Sequence, residues 1–235
     1  MFSFESVTSP TKLNIALWGP SGAGKTYTGL AIAHQLGSHV AVLDTEHRAS
    51  SLYTARFPAH IASLEPPFGP ERYIEAIQAA ETAGYDVLVV DSLSPEWDGP
   101  GGCLALVADA RKRGVKSHHA WNDVTPRHEA LLGAINRTRL SIVVTLREKP
   151  RVIVGTGDNG KTNVQEGAPT PVTRERFEYE YDLVLHLDGQ HRATVMNSRF
   201  LSMPEGAHFP ADGSLLDRVR MGLKVDGNRS VEVTG

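Results

Sequence analysis

The sequence predicts an α/β fold: a mostly parallel sheet flanked by helices, ending in antiparallel strands towards the C-terminus. Three observations predict it. Short apolar runs alternate with amphipathic stretches as far as Thr145, the pattern of strands joined by covering helices. A glycine-rich segment, Gly19 to Thr26, follows the first apolar run directly and precedes the first helical stretch. The run Val87-Leu88-Val89-Val90 is apolar at every position, as a strand buried on both faces must be.

The elements follow in order. Leu13 to Trp18 reads as a buried strand, Tyr27 to Leu36 as a helix and Val40 to Leu43 as the second strand. Pro70 opens a helix whose apolar face is Tyr73, Ile74, Ile77 and Ala80. Val87 to Val90 is the third strand. Helical stretches are expected around Leu104 to Arg113 and from Pro126 to Thr138, the latter with Thr125 as N-cap and Pro126 at its first position. Ser141 to Thr145 is the fourth core strand. Beyond it the pattern changes: Arg151 to Gln165 predicts a hairpin turning at Gly157-Asp158-Asn159-Gly160. Leu183–Leu187 and Ala193–Met196 predict a second antiparallel pair, joined through Gly189-Gln190-His191. The expected organisation is one domain over residues 1–225 and a disordered tail over residues 226–235.

Composition bounds the function. The chain has 235 residues, 40% apolar and 22% charged, as ordinary globular proteins do. No apolar run reaches about 18 residues, so no membrane partner is expected, and Met1 to Lys12 lacks the basic start and apolar stretch of a signal peptide. The single cysteine, Cys103, excludes an intramolecular disulfide and fits a reducing compartment, so cytoplasm is the expected location. The formal net charge is −3, from 24 Lys and Arg against 27 Asp and Glu, so nucleic acid would have to be met by a local patch or an assembly.

The chemistry starts at Gly19-Pro20-Ser21-Gly22-Ala23-Gly24-Lys25-Thr26, which fills every position of G-x-x-x-x-G-K-[ST] between a strand and a helix. Glycines there let backbone N–H groups turn in around phosphate oxygens, and the helix N-terminus adds favourable potential for an anion. Lys25 supplies a point charge to the β- and γ-phosphates, the Thr26 hydroxyl ligates magnesium, and Tyr27 begins the helix beside the nucleotide. The expected ligands are therefore ATP and Mg2+. Asp91, at the end of the third strand, is the carboxylate expected to hold the magnesium. Leu43-Asp44-Thr45-Glu46-His47 sets a carboxylate just past the second strand, making Glu46 the general-base candidate. Thr145 ends the fourth strand beside the expected γ-phosphate and is a sensor candidate. Arg147 and Lys149 follow it, able to reach the same phosphate, a neighbouring subunit's, or only solvent.

This order, P-loop, Asp-x-Glu-His after a strand, Asp-Ser after a strand and a Thr-ended strand, resembles the RecA core. A closer likeness runs from about Leu13 to Arg199. The chain resembles the RecA-core ATPases of temperate phages and prophages that are classed as single-strand annealing or recombination proteins. The segments that carry it are Asp91-Ser92-Leu93-Ser94-Pro95-Glu96-Trp97, Gly99 to Gly102, Ala120 to Pro126, Thr145 to Lys149, Ala168 to Arg174, Glu178 to Asp182 and Asn197-Ser198-Arg199. Family members usually carry a lysine where this chain has Asn197, which leaves Arg199 as the candidate to reach a neighbouring subunit's nucleotide.

The resemblance implies a homo-oligomer, ring or filament, acting on single-stranded DNA in recombination or annealing, with a single-strand DNA-binding protein as a possible partner. It implies DNA contacts from the loops after the magnesium strand and the fourth core strand. The first offers Arg111, Lys112 and Arg113 with Lys116, His118 and His119; the second offers Lys149, Arg151, Lys161, Arg174 and Arg176. Solvated charge is the alternative for both. Trp97 and Trp121 can stack on bases, although buried packing is the commoner use of tryptophan. The adjacent His118 and His119 would point apart on a helix, so no structural zinc is expected. Two other functions stay open: a nucleotide-gated assembly switch without DNA, and a small-molecule P-loop kinase, which Glu46 and the C-terminal hairpins fit poorly.

Overall fold

The computed structural model describes residues 12–47, 49–156 and 162–225. Among these residues nine strands, β1 to β9, occupy Asn14–Gly19, Val40–Asp44, His60–Ser63, Val87–Asp91, Ser141–Thr156, Thr162–Pro171, Leu183–Leu187, Arg192–Ser198 and His208–Pro210. Six helices among the described residues, α1 to α6, occupy Lys25–Leu36, Pro70–Thr82, Ser94–Asp98, Cys103–Lys112, Ser117–Arg137 and Gly213–Val225.

The sheet runs β3-β2-β4-β5-β1-β7-β8-β9. Pairing is parallel from β3 across to β7 and antiparallel through β8 and β9. The far half of β5 leaves the sheet to pair antiparallel with β6, with a register shift between Lys149 and Arg151. This is the mostly parallel sheet with antiparallel C-terminal strands that the sequence predicts. The turn expected at Gly157–Gly160, with Lys161, and the tail at 226–235 lie outside the described residues.

Two apolar cores cover the sheet, and strand periodicity assigns residues to them. Ile15 and Leu17 of β1 face one side, where α1 and α6 bring Leu30, Ile32, Leu215 and Val219. Ala16 and Trp18 face the other, where α2 and α5 bring Tyr73, Ile77, Leu131 and Ile135. Successive side chains on a strand point to opposite faces, so a strand covered on both must be apolar throughout. A smaller third core, Cys103, Val107, Ala110, Ala120 and Val124, joins α4 to α5 in the segment between β4 and β5.

One helix departs from expectation. Instead of starting at Pro126, α5 begins at Ser117 and carries Pro126 inside its 21 residues, so Thr125 is not its N-cap. Proline in a helix interior forfeits one backbone hydrogen bond and crowds the preceding turn, at about 3 kcal/mol. The buried stripe Ala120, Val124, His128, Leu131 and Ile135 continues straight across it. Packing on both sides of Pro126 outweighs that local penalty. The sequence reading also misses β3, β9, α6 and the short α3.

Candidate functional site

The site forms at the carboxyl ends of β1, β4 and β5, the edge where ligands of open α/β sheets bind. Register brings the groups together: Leu17 lies beside Thr145, Gly19 beside Arg147 and Asp44 beside Asp91. A cavity of about 760 Å³ opens there. Its walls include the P-loop residues Gly19, Ser21, Gly22, Ala23, Gly24, Lys25 and Thr26, with Tyr27, Glu46, Asp91, Thr145 and Arg147. Among the P-loop residues, Pro20 contributes its carbonyl, which accepts hydrogen bonds from the Ala23 N–H and the Lys25 Nζ.

Two P-loop positions require glycine. A Cβ on Gly19 would lie 2.1 Å from the Leu187 carbonyl oxygen at the end of β7. Gly24 caps α1 in the left-handed region at φ +88°, and a Cβ there would press on the His191 ring at 3.3 Å. The α1 N-terminus thus opens on the cavity with its first N–H groups unclaimed by the helix, an arrangement suited to phosphate.

Asp91 lies at the floor. It is 3% exposed and accepts hydrogen bonds from Thr26 Oγ1 at 2.7 Å and Thr145 Oγ1 at 2.5 Å, one on each carboxylate oxygen. Burial pushes its pKa above the ordinary aspartate range, while the two hydroxyl bonds pull the other way. Lys25 donates to the Gly19 and Pro20 carbonyls at 2.9 and 2.7 Å. Burial lowers its pKa, and the nearby Asp91, Glu46 and Glu148 carboxylates oppose that. The donor set fits a magnesium nucleotide: a hydroxyl and a buried carboxylate in contact, an ammonium beside them and a cradle of backbone N–H groups.

Glu46 is held from two directions. Its backbone N–H donates to Asp44 Oδ1 at 2.9 Å, and Asp44 also receives the N–H and hydroxyl of Ser50. The preceding Thr45 ties the loop to β4 through Thr45 N to Asp91 O at 2.8 Å and Thr45 Oγ1 to Ser92 O at 2.9 Å. Its carboxylate accepts from Arg147 Nε at 2.9 Å and pairs with the guanidinium NH2 nitrogen at 2.9 Å. Arg147 therefore turns into its own chain's cavity. Its backbone N–H is fixed by Ser94 Oγ at 2.9 Å.

Sequence reasoning misses Asp44 and Thr45 as positioning residues, and it misses His191. The β7–β8 turn carries His191 at φ +58°, with its ring Nδ1 3.1 Å from the Ala23 carbonyl oxygen, so this turn leans on the P-loop. The neighbouring Glu148 meets His186 at 3.2 Å on the cavity's other flank.

The candidate DNA contacts fall in separate places. Arg111, Lys112 and Arg113 are exposed at the α4–α5 turn, where Lys112 pairs with Asp109 at 3.0 Å. Lys149 and Arg174 line a second groove of about 870 Å³, and Arg174 lies 3.6 Å from Glu129. Trp97 and Trp121 stack on each other in its wall, with ring centroids 5.7 Å apart. Arg151 is exposed on β5. Arg199 pairs within its own chain, with Asp182 at 3.2 Å and the Tyr179 carbonyl at 3.2 Å, and Asn197 donates to the Glu178 carbonyl at 2.8 Å. Among the described residues no helix is long and apolar enough to cross a membrane.

A family model described as "AAA domain" matches residues 11–213. No curated protein gives a match. Among solved structures, the RadB recombinase is similar with a TM-score of 0.43 and 17% identity, over 85% of this chain and 86% of that one. ATPases 2 and 3 of EssC from Geobacillus thermodenitrificans give a TM-score of 0.39 and 12% identity, over 91% of this chain and 43% of that one. Likenesses this distant say nothing about chemistry or partners.

Proposed function

This chain belongs to the AAA-domain family, and from that premise we propose that it is a magnesium-dependent ATPase that acts, as an oligomer, on single-stranded DNA in recombination or strand annealing of the phage type. The observation that carries the ATPase reading is the convergence of Lys25, Thr26, Asp91, Glu46 and Thr145 on one cavity.

In this reading the P-loop backbone and Lys25 bind the phosphates, and Thr26 with Asp91 holds Mg2+. The metal, when bound, neutralises charge on the β- and γ-phosphate oxygens. Glu46 orients the attacking water and accepts its proton at the carboxylate. Thr145 reports through Asp91, to which its hydroxyl is bonded. Arg147 holds Glu46 and supplies positive charge beside it. Tyr27 flanks the nucleotide, at the start of α1.

The DNA reading is supported by the resemblance described above and by the exposed basic residues Arg111, Lys112, Arg113, Lys149 and Arg151. A second reading, an assembly switch gated by nucleotide, is favoured by the Arg147–Glu46 pair, which occupies the general-base candidate. Turnover of ATP with and without single-stranded DNA, at two salt concentrations and with Lys25→Ala as blank, separates the two. Stimulation that fades with salt is expected, because phosphate contacts release counterions. Turnover indifferent to DNA, together with no DNA binding, would leave the switch.

A further inference from the structure

Behind the second groove, three side chains converge that the nucleotide site does not use. Glu96 of α3, Cys103 at the start of α4 and His128 of α5 come from three different helices. All are buried, at 1%, 0% and 4% exposure. Glu96 Oε1 lies 2.9 Å from His128 Nδ1 and 3.1 Å from Cys103 Sγ, and the three donor atoms lie within 4.8 Å of one another. Both neighbours thus crowd a single carboxylate oxygen.

We propose that Glu96, Cys103 and His128 form a zinc site, with a water as fourth ligand, that fastens α3, α4 and α5 together. The donors are one thiolate, one imidazole and one carboxylate, the three side-chain types zinc takes. Bonds of about 2.0–2.3 Å in a tetrahedral site separate donor atoms by roughly 3.3–3.6 Å, so the two separations about Glu96 Oε1 need open by only about half an ångström to receive the ion. Binding releases the Cys103 proton to solvent, since the ligand is the thiolate.

The surroundings give such a fastening something to do. The α3–α4–α5 segment has its own small core, built on Cys103, Val107, Ala110, Ala120 and Val124. Trp97, Leu106 and Trp121 pack against this core from partly buried positions, and a metal beside it would add its binding free energy to the folding of the segment. A route for ion and water exists, because His128 and Trp97 also form part of the wall of the second groove. Cys103 is the only cysteine in the chain, so its place in this cluster is not shared with any disulfide. The site shares no residue with the nucleotide cavity and does not rest on the ATPase reading.

Co2+ is the probe. Titrated into chelator-treated full-length protein, it is expected to bind at one equivalent and give a thiolate-to-cobalt charge-transfer band, which zinc then displaces. Cys103→Ser and His128→Gln should lose the band, while Lys25→Ala should keep it. Zinc content and the shift in Tm on adding chelator, read on the unaltered protein, decide the matter should either variant fail to fold. Absence of bound zinc, of the cobalt band and of any chelator effect would overturn the site and leave a hydrogen-bonded triad. A band that survives Cys103→Ser would overturn it equally, since no thiolate would remain in the chain to give it.

Discussion

Arg147 and Glu46, 101 residues apart in the chain, share a two-point contact in which both Nε and an NH2 nitrogen reach one carboxylate oxygen at 2.9 Å. The guanidinium is half exposed, so the pair is worth little to stability. What it fixes is direction: Arg147 is turned towards its own chain's general-base candidate.

That geometry predicts that Arg147 acts in cis. Arg147→Ala should lower turnover by about 10³-fold or more, the lower end of the range by which such arginines contribute. Mixing it with Lys25→Ala subunits should restore nothing. Recovery of ATPase activity in the mixed oligomer would mean that the arginine works across the subunit interface.

Asp91 gives a prediction with a pH sign. Burial holds its folded pKa above the unfolded value, so the folded protein keeps the proton more tightly. The penalty for its charge is absent below the ordinary aspartate range and complete once pH exceeds the folded pKa. Without magnesium, Asp91→Asn should therefore raise Tm at alkaline pH, by about 2–4 °C if the gain is ~1 kcal/mol. The difference should shrink as pH falls, while ATPase activity is lost throughout. A gap that ignores pH, read by thermal melts across the range, would contradict the assignment.

Gly19→Ala tests the packing of the P-loop on β7. The added Cβ would meet the Leu187 carbonyl at 2.1 Å, and that atom is backbone in a paired strand with no room to retreat. A loss of about 1–3 kcal/mol is expected, as for other overpacked sites. Urea unfolding should show a lower midpoint with an unchanged slope. An unaltered midpoint would mean that the loop yields.

Much of this was legible in the sequence because it is written locally. The P-loop is eight consecutive residues, and β1, β2, β4 and the inner half of β5 are apolar runs that two covered faces require. The α5 start was not legible, since Pro126 is a local stop signal and the stripe that overrides it is recognisable only once packed. Nor was β3, whose His60–Ser63 is largely exposed at the sheet edge and lacks a buried strand's composition. Contacts across the chain were hidden for the same reason. His191 reaches Ala23 over 168 positions, and Glu96 reaches His128 over 32. The sequence reading sought metal ligands among neighbouring histidines, whereas the buried cluster draws one donor from each of three helices.

The central claim is that the P-loop binds nucleotide while Glu46 acts on the water. Nucleotide affinity and turnover, measured together on the unaltered protein, Lys25→Ala and Glu46→Gln, test it most directly. Lys25→Ala should lose tight ATP binding, whereas Glu46→Gln should keep it and turn over about 10²–10⁴-fold more slowly, the usual contribution of a general base. Equal loss of binding in both variants, or full turnover in Glu46→Gln, would contradict the account.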